Sequence, residues 1–282
     1  MIMTTYLDNI LIKNEYERIN NYLKERNIYK KWRLRIIEKY KLSEDLILFF
    51  LMGGLLIWTT IHNYDPIYTP IHFVTYATAL GYRTWKTRHA LAYGPYIFRY
   101  IYIRKKRLEE ITNKSSNAFY SNNIEIREGT VAAIKLLEYN IVDYPIYIDK
   151  NKENIEEIIS KVVVDTTLAH EAAHMVIGMS DIKASDLEYL IYLDMNNFLD
   201  VNDPYKYEKT KEVIRKNVEK CIEYVKNKKR YNPYNIGLCY ANITLYKNNF
   251  SIDIRREIEK LRHMKDKDII NEIRNYALNY SN

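Results

Sequence analysis

VVVDTTLAHEAAHMVIGM, residues 162–179, is the stretch from which the fold and the chemistry of this chain can be predicted. It is apolar enough for a buried helix, and Gly178 is placed to end that helix one turn after His174. His170 and His174 are four residues apart, so on a helix their imidazoles share one face and can reach one ion. Glu171 would project beside the same ion. We therefore predict a metal-binding helix.

The residue types in this motif suit hydrolysis by a metal-activated water. Two imidazoles supply two ligands for zinc, and a neighbouring carboxylate can take a proton from the water and pass it to a leaving amine. The flanking positions agree, with Thr167 three before the first histidine and Val176 two after the second. The alternative is a buried amphipathic helix whose two histidines bind nothing.

The motif resembles that of the zincin metallopeptidases, and the resemblance covers residues 162–179. It implies peptide-bond hydrolysis, a Zn2+ cofactor with His170 and His174 as ligands, and Glu171 as the catalytic base. In zincins the peptide substrate typically pairs with an edge strand beside the zinc helix. The overall plan is similar to that of the heat-shock membrane peptidases and the CAAX prenyl protease group.

A catalytic zinc generally has three protein ligands and one open position. Ser185 and Glu188 form a capping box, which predicts a second helix over residues 185–199. A helix returning alongside the first regains the level of the metal after about four residues, so we predict Glu188 as the third ligand. Asp194 is the alternative ligand, or else a carboxylate that orients a ligand histidine through its other nitrogen. A ligand glutamate on a following helix is the gluzincin arrangement.

Composition limits the class of protein. The 282 residues are 28% charged and 47% hydrophobic, which is typical of a globular chain and excludes wholesale disorder. Cys221 and Cys239 have no metal-binding spacing, so we expect two reduced, buried thiols in a reducing compartment. The net charge of +7 is compatible with nucleic acid or an anionic membrane as a partner.

The N-terminal part has an unusual distribution of charge. Residues 1–43 are basic and helical in pattern, and no Lys or Arg occurs between Lys41 and Arg83. Within that gap, residues 45–61 and 67–82 are two apolar stretches separated by a turn. We predict a helical hairpin inserted in a membrane through residues 45–82, with both basic flanks on the cytoplasmic side. The alternative is a soluble cytoplasmic protein whose hairpin is buried.

The region before the motif predicts a small sheet. Residues 112–123 read as a linker, 124–127 as a strand and 130–139 as a helix, followed by a β-branched, alternating strand over 140–149. Pro145 cannot donate to a central ladder, which makes that strand an edge. It is our candidate for backbone pairing with a peptide substrate, through Ile141, Pro145, Ile146 and Ile148.

The C-terminal region reads as helices over residues 205–229, 236–247 and 252–280, with a break at Asp203-Pro204. A donor to the oxyanion of the transition state is expected there by resemblance to zincins. His263 is the only histidine after the motif and is a weak candidate. The tyrosines, 28 in number, do not single one out.

Together these features predict a mostly helical α+β fold containing a zincin-like catalytic domain with a small sheet. We divide the chain into a basic helical region (1–43), the apolar hairpin with its basic flank (44–107), the catalytic core (108–203) and a helical C-terminal region (204–282). We predict a zinc endopeptidase acting on peptides or proteins, membrane-associated with a cytoplasmic active site. The alternative is a non-catalytic zincin-scaffold protein whose basic helices bind nucleic acid or an anionic membrane.

Overall fold

A computed structural model describes residues 8–28, 32–37, 92–93, 100–122, 129–149, 154–228 and 230–280. This part of the chain is mostly helical, and the predicted α+β class is confirmed. Its helices are α1 (Asn9–Glu25), α2 (Lys105–Asn122), α3 (Ile155–Ile177), α4 (Asp181–Met195), α5 (Pro204–Asn227), α6 (Pro233–Lys247), α7 (Ile254–His263) and α8 (Asp266–Asn279).

The strands of the described residues form two small sheets. They are β1 (Arg33–Ile37), β2 (Ala92–Tyr93), β3 (Tyr100–Arg104), β4 (Thr130–Ile134) and β5 (Tyr144–Ile148). In the first sheet, β3 lies between β1, to which it is parallel, and β2, to which it is antiparallel. The second sheet is the antiparallel pair of β4 and β5, in which Thr130 faces Ile148 and Ile134 faces Tyr144.

Helix α3 is the central element of the fold. Asn154 caps its first turn, which carries Glu156 and Glu157, where negative charge favours the positive end of the helix dipole. Residues on all sides of the helix are buried, because α1, α2 and α4 pack around it. The helix ends at Gly178, whose φ of 93° suits glycine, so the predicted end is confirmed.

Helix α4 begins four residues earlier than predicted. Ser180 is its N-cap, accepting a hydrogen bond from the backbone N–H of Lys183 at 3.3 Å. Ser185, which we predicted as the cap, is inside the helix and donates to the carbonyl of Asp181 at 2.8 Å. Glu188 therefore does not close a capping box, and its side chain is directed to other partners. The helix ends at Met195 rather than at residue 199.

Two predictions between α2 and β5 are wrong. The predicted linker, residues 112–123, lies almost entirely in α2, where Thr112, Ser115 and Ser116 are buried. The predicted helix over 130–139 begins as strand β4, because its TVAAI segment pairs with β5 along its whole length. The predicted strand over 140–149 is confirmed as the shorter β5. The predicted strand at 124–127 lies outside the described residues.

Of the C-terminal helices, α6 and α7 pack against α4, and α7 also contacts α3. Asp203 caps α5 and Pro204 is its first residue, as the break in the sequence predicts. The stretch predicted as one helix over 252–280 forms two, α7 and α8, on either side of Met264 and Lys265. Buried residues from α1 to α8 contribute to one hydrophobic cluster, which crosses the predicted boundary at residue 203.

The prediction of two free cysteines is wrong. Cys221 on α5 and Cys239 on α6 form a disulfide, with their Cα atoms 5.4 Å apart and both side chains fully buried. The two helices pack side by side, which brings together residues that lie 18 positions apart in the chain. The inference of a reducing compartment from cysteine usage therefore loses its basis.

The prediction of a transmembrane helix is also corrected. Among the residues that the structure describes, no helix combines the length and the apolar character needed to cross a membrane. The stretches on which that prediction rested, residues 45–61 and 67–82, lie outside the described residues.

Candidate metal centre

The site is built by two consecutive helices and the short turn between them. Helix α3 presents His170 and His174 on one face, with their ring centroids 4.7 Å apart and their planes almost perpendicular. The two Nε2 atoms face each other at 3.2 Å. After the turn at Gly178, α4 starts close to the end of α3 and brings Asp181 back to this pair, with Oδ1 3.4 Å from Nε2 of His174.

The outer nitrogens of both imidazoles face hydrogen-bond acceptors. Nδ1 of His170 lies 2.9 Å from Oε2 of Glu188, and Nδ1 of His174 lies 2.8 Å from the carbonyl oxygen of Gly178. A carbonyl and a carboxylate cannot donate, so each Nδ1 must carry a proton. The neutral form of each ring then has its lone pair on Nε2, directed at the other ring. Two lone pairs that face each other at this distance repel, and a cation between the two nitrogens, either a proton or a metal ion, would relieve the repulsion.

Three potential ligand atoms thus converge, and among the described residues theirs is the one group that could hold a metal: His170, His174 and Asp181. The three side chains differ in how far they are exposed, and this difference distinguishes an inner from an outer side of the cluster. The side chain of His174 is 6% exposed, that of His170 18% and that of Asp181 50%. His174 is therefore the innermost member of the cluster and Asp181 the outermost.

Glu188, predicted as the third ligand, lies on the outer side of His170. Its Oε2 is at Nδ1, and its Oε1 accepts hydrogen bonds from the hydroxyls of Tyr144 and Tyr234, both at 2.6 Å. The carboxylate thus has the orienting role that we predicted for Asp194. The cause is the earlier start of α4, which places Asp181 at the level of the histidine pair and carries Glu188 two turns further on.

Glu171 is buried, with 6% of its surface exposed, and follows His170 on α3. Burial disfavours the charged form of His170. The hydrogen bond and charge of Glu188, with further contributions from Glu171 and Asp181, nevertheless raise the pKa of this imidazole. Glu171 is therefore close enough to the histidine pair to act electrostatically on it, and its carboxylate is the nearest candidate base in sequence.

Asp194 is not brought to the site. It lies six residues after Glu188, or about 9 Å along a helix. There it accepts a hydrogen bond from the hydroxyl of Tyr22 at 2.5 Å and pairs with Arg26 at 2.7 Å, both near the end of α1. The predicted oxyanion donor, His263, is exposed at the C-terminal end of α7.

The outer edge of β5 is covered by helices. The carbonyl of Pro145 accepts a hydrogen bond from Tyr192 of α4 at 2.6 Å, and the N–H of Ile141 donates to Asn235 of α6 at 3.3 Å. Ile146 and Ile148 face residues of β4. Tyr192 thus occupies a backbone acceptor that the predicted pairing with a peptide would use, and that pairing stays a prediction. Pro145 has no N–H to donate at this edge, and Tyr192 occupies its carbonyl.

Sequence reasoning missed three residues of the site: Asp181, Tyr144 and Tyr234. Asp181 had a usable signal, because Ser180, two residues after the helix-ending Gly178, is a good N-cap and places the next residue in a first helical turn. The tyrosines had none. They lie on β5 and at the start of α6, and only the tertiary packing brings them to Glu188.

We compared the chain with protein-family models, with curated proteins and with solved structures, and found no match in any of the three. The chemistry of the site is therefore inferred from the geometry of its own residues.

Proposed function

We propose that this chain is a zinc-dependent peptidase with a zincin-like catalytic domain, in which His170, His174 and Asp181 hold the metal and Glu171 is the general base. The observation that carries the proposal is the convergence of three acceptor atoms: two Nε2 atoms 3.2 Å apart and Oδ1 of Asp181 3.4 Å from one of them. Two imidazoles and one carboxylate form the ligand set of hydrolytic zinc sites that keep a position for water.

The outer hydrogen bonds support metal binding over an incidental pair of histidines. A ligand histidine almost always donates its other N–H to a carboxylate or a backbone carbonyl, which fixes both the tautomer and the plane of the ring. His170 has the first kind of partner, Glu188, and His174 has the second, the carbonyl of Gly178. Both lone pairs are thereby held towards one point.

When bound, zinc supplies Lewis-acid activation of a water molecule and of the substrate carbonyl. The chain supplies the proton transfers. Glu171 is a buried carboxylate beside His170, suited to accept a proton and return it to the leaving amine. Asp181, the most exposed of the three candidate ligands, marks the side from which an extended peptide would approach. The proposed reaction is thus the endopeptidase cleavage of a peptide or a loosely folded protein.

The first test is the metal content of purified protein. We expect about one zinc ion per chain in the wild type and its loss in His174→Ala and Asp181→Asn, because each variant removes a ligand. Asp194→Asn is the matched control, since its carboxylate lies on the same helix as Asp181 but pairs with Arg26, and it should keep its zinc. The measurement of metal content should include iron, which can bind to two histidines and a carboxylate. A wild type that holds no zinc after reconstitution would overturn the proposal.

The same preparations test catalysis with a fluorescence-quenched peptide library. Glu171→Gln should keep its zinc and lose about 100- to 10,000-fold in rate, the usual contribution of a general base. Glu157→Gln, in the first turn of the same helix, should leave the rate unchanged. Full activity in Glu171→Gln would exclude Glu171 as the base. Zinc binding without hydrolysis in the wild type would favour a non-catalytic scaffold.

A further inference from the structure

Glu188 is a buried carboxylate, 1% exposed, that receives hydrogen bonds from three directions. Nδ1 of His170 donates to one oxygen, and the hydroxyls of Tyr144 and Tyr234 donate to the other. A buried charge of this kind is stable only when such partners satisfy it. Three separate elements, α3, β5 and α6, therefore meet at a residue of α4 that touches Nδ1 of a candidate ligand, on the side away from its Nε2 atom.

We propose that Tyr144 and Tyr234 are positioning residues of the metal site: their hydroxyls hold Glu188 against His170, and through it they fix the direction of the ligand nitrogen of His170. This inference rests on the proposed function, because it concerns how tightly the same site binds zinc. It assigns a role to two tyrosines whose hydroxyls are bonded to Glu188 and are not among the candidate metal ligands.

The number of hydroxyl protons supports a positioning role for the two tyrosines over a role as oxyanion donors. Each hydroxyl has one proton, and both protons are used at Oε1 of Glu188, each over 2.6 Å. The two hydroxyl oxygens are also 3.2 Å apart, which is within hydrogen-bonding distance. Burial, together with the charge of Glu188, raises the pKa of both tyrosines, so both remain protonated donors. Neither has a second proton to offer to a substrate.

The rings of the two tyrosines make the arrangement rigid. Tyr144 is fully buried, and its ring packs against Tyr189 at 5.1 Å and Tyr192 at 5.4 Å between centroids. The ring of Tyr234 lies 5.6 Å from that of His170. The imidazole of His170 is thus held at Nδ1 by Glu188 and along its side by Tyr234. Restraint of both kinds reduces the freedom that a ligand loses when it binds a metal.

The test is the dissociation constant for zinc, measured by competition with a chromophoric chelator on the full chain. Glu188→Gln should weaken binding by about 10- to 100-fold, the usual effect of losing a direct partner of a ligand histidine. Tyr144→Phe and Tyr234→Phe act one step further out, so each should weaken it by about threefold or more. Both substitutions keep the ring and remove only the hydroxyl.

Tyr189→Phe is the matched control. It removes a buried hydroxyl from the same aromatic group, but that hydroxyl donates to the carbonyl of Asp143 and does not touch Glu188. We expect wild-type zinc affinity from it. Thermal unfolding of the metal-free proteins is measured alongside. It would reveal a loss of stability common to the three Tyr→Phe variants.

A double-mutant cycle shows whether the tyrosines act through Glu188. In the Glu188→Gln background, most of the loss caused by Tyr234→Phe should disappear, because the group that it positions is no longer charged. If Tyr144→Phe and Tyr234→Phe bind zinc as tightly as Tyr189→Phe, the positioning role is wrong while the proposed function stands. If the wild type binds no zinc, both fall together.

Discussion

Gly237 lies where helix α6 passes the backbone of α4. A Cβ atom built there would be 2.1 Å from the carbonyl oxygen of Ile182 and 2.7 Å from Cβ of Ser185. The nearest atom belongs to a helix backbone, which cannot move aside without distorting α4. This glycine therefore permits the close approach of the two helices, one of which carries both Asp181 and Glu188.

We expect Gly237→Ala to lower the free energy of unfolding by about 2–3 kcal/mol or more, because it overpacks this contact. Urea denaturation of the metal-free protein measures the loss. Lys247→Ala, an exposed change on the same helix, should stay within about 0.5 kcal/mol of the wild type. Equal stability of the two variants would show that the helices can separate at no cost.

Individual site residues were predictable only where their spacing was local. The spacing of His170 and His174 predicted that their rings would share one face, and the structure brings their Nε2 atoms to 3.2 Å. The positions expected for Glu188 and Asp194 are taken by Asp181 and Glu188, nearly two turns earlier, because the cap is Ser180 and not Ser185. A Ser-x-x-Glu sequence inside a helix is identical to that of a capping box at the start of a helix, and only the backbone conformation distinguishes the two.

At the scale of single elements, α1 is joined to α3 by a hydrogen bond from the half-buried Arg18 to a buried carboxyl group. Arg18 donates to Asp165, which is 1% exposed, and also to Glu15 at 2.5 Å. Two carboxylates thus share one guanidinium. Within the described part of the chain, Oδ1 of Asp165 has no hydrogen-bond donor. Burial, reinforced by Glu15 and opposed by Arg18, raises the pKa of Asp165 to about 8.

This pKa predicts how stability depends on pH. Between the ordinary value of 3.8 and about 8, the folded protein keeps a proton on Asp165 that the unfolded chain releases. Stability therefore falls as pH rises through that range and levels off above it. Urea denaturation at several pH values should show a shallower fall in Asp165→Asn than in the wild type. Glu17→Gln, an exposed change on α1, should keep the wild-type slope. Equal slopes in all three would contradict the shifted pKa.

The boundaries of elements followed local signals where those were strong. Gly178 and Asp203-Pro204 end and start helices as predicted. The TVAAI segment of β4 is too short for periodicity to distinguish a strand from a helix, and its pairing with β5 decides the matter. The polar surface of α2 suggested a linker, although the helix buries a face against α3.

At the scale of the whole molecule, the disulfide between Cys221 and Cys239 joins α5 to α6. The loop that it closes limits the unfolded chain, and a loop of this size is worth about 3 kcal/mol in free energy of unfolding. We expect Cys221→Ala/Cys239→Ala to lose about that amount, and wild type unfolded in the presence of a reductant to lose the same. Alkylation after denaturation without reductant should find no free thiol. Two reactive thiols per chain would show that the bridge does not form.

The class of the fold was predictable from helical periodicity along most of the chain, but the disulfide was not. Two cysteines 18 residues apart carry no signal of pairing until the packing of α5 on α6 is known. The same holds for the shared hydrophobic cluster, which includes residues from α1 and from α8. Periodicity indicates which face of a helix is buried and leaves open which partner covers it.

The short turn between α3 and α4 also has a consequence for the order of folding. The cluster of His170, His174 and Asp181 needs only two adjacent helices, whereas Tyr234 must arrive from 46 residues beyond Glu188. Closing a loop of about ten residues takes well under a microsecond, and contacts between distant residues form later. We therefore expect the three candidate ligands to meet before α6 is synthesised, and the hydrogen bond of Tyr234 to be added to the site after that of Tyr144.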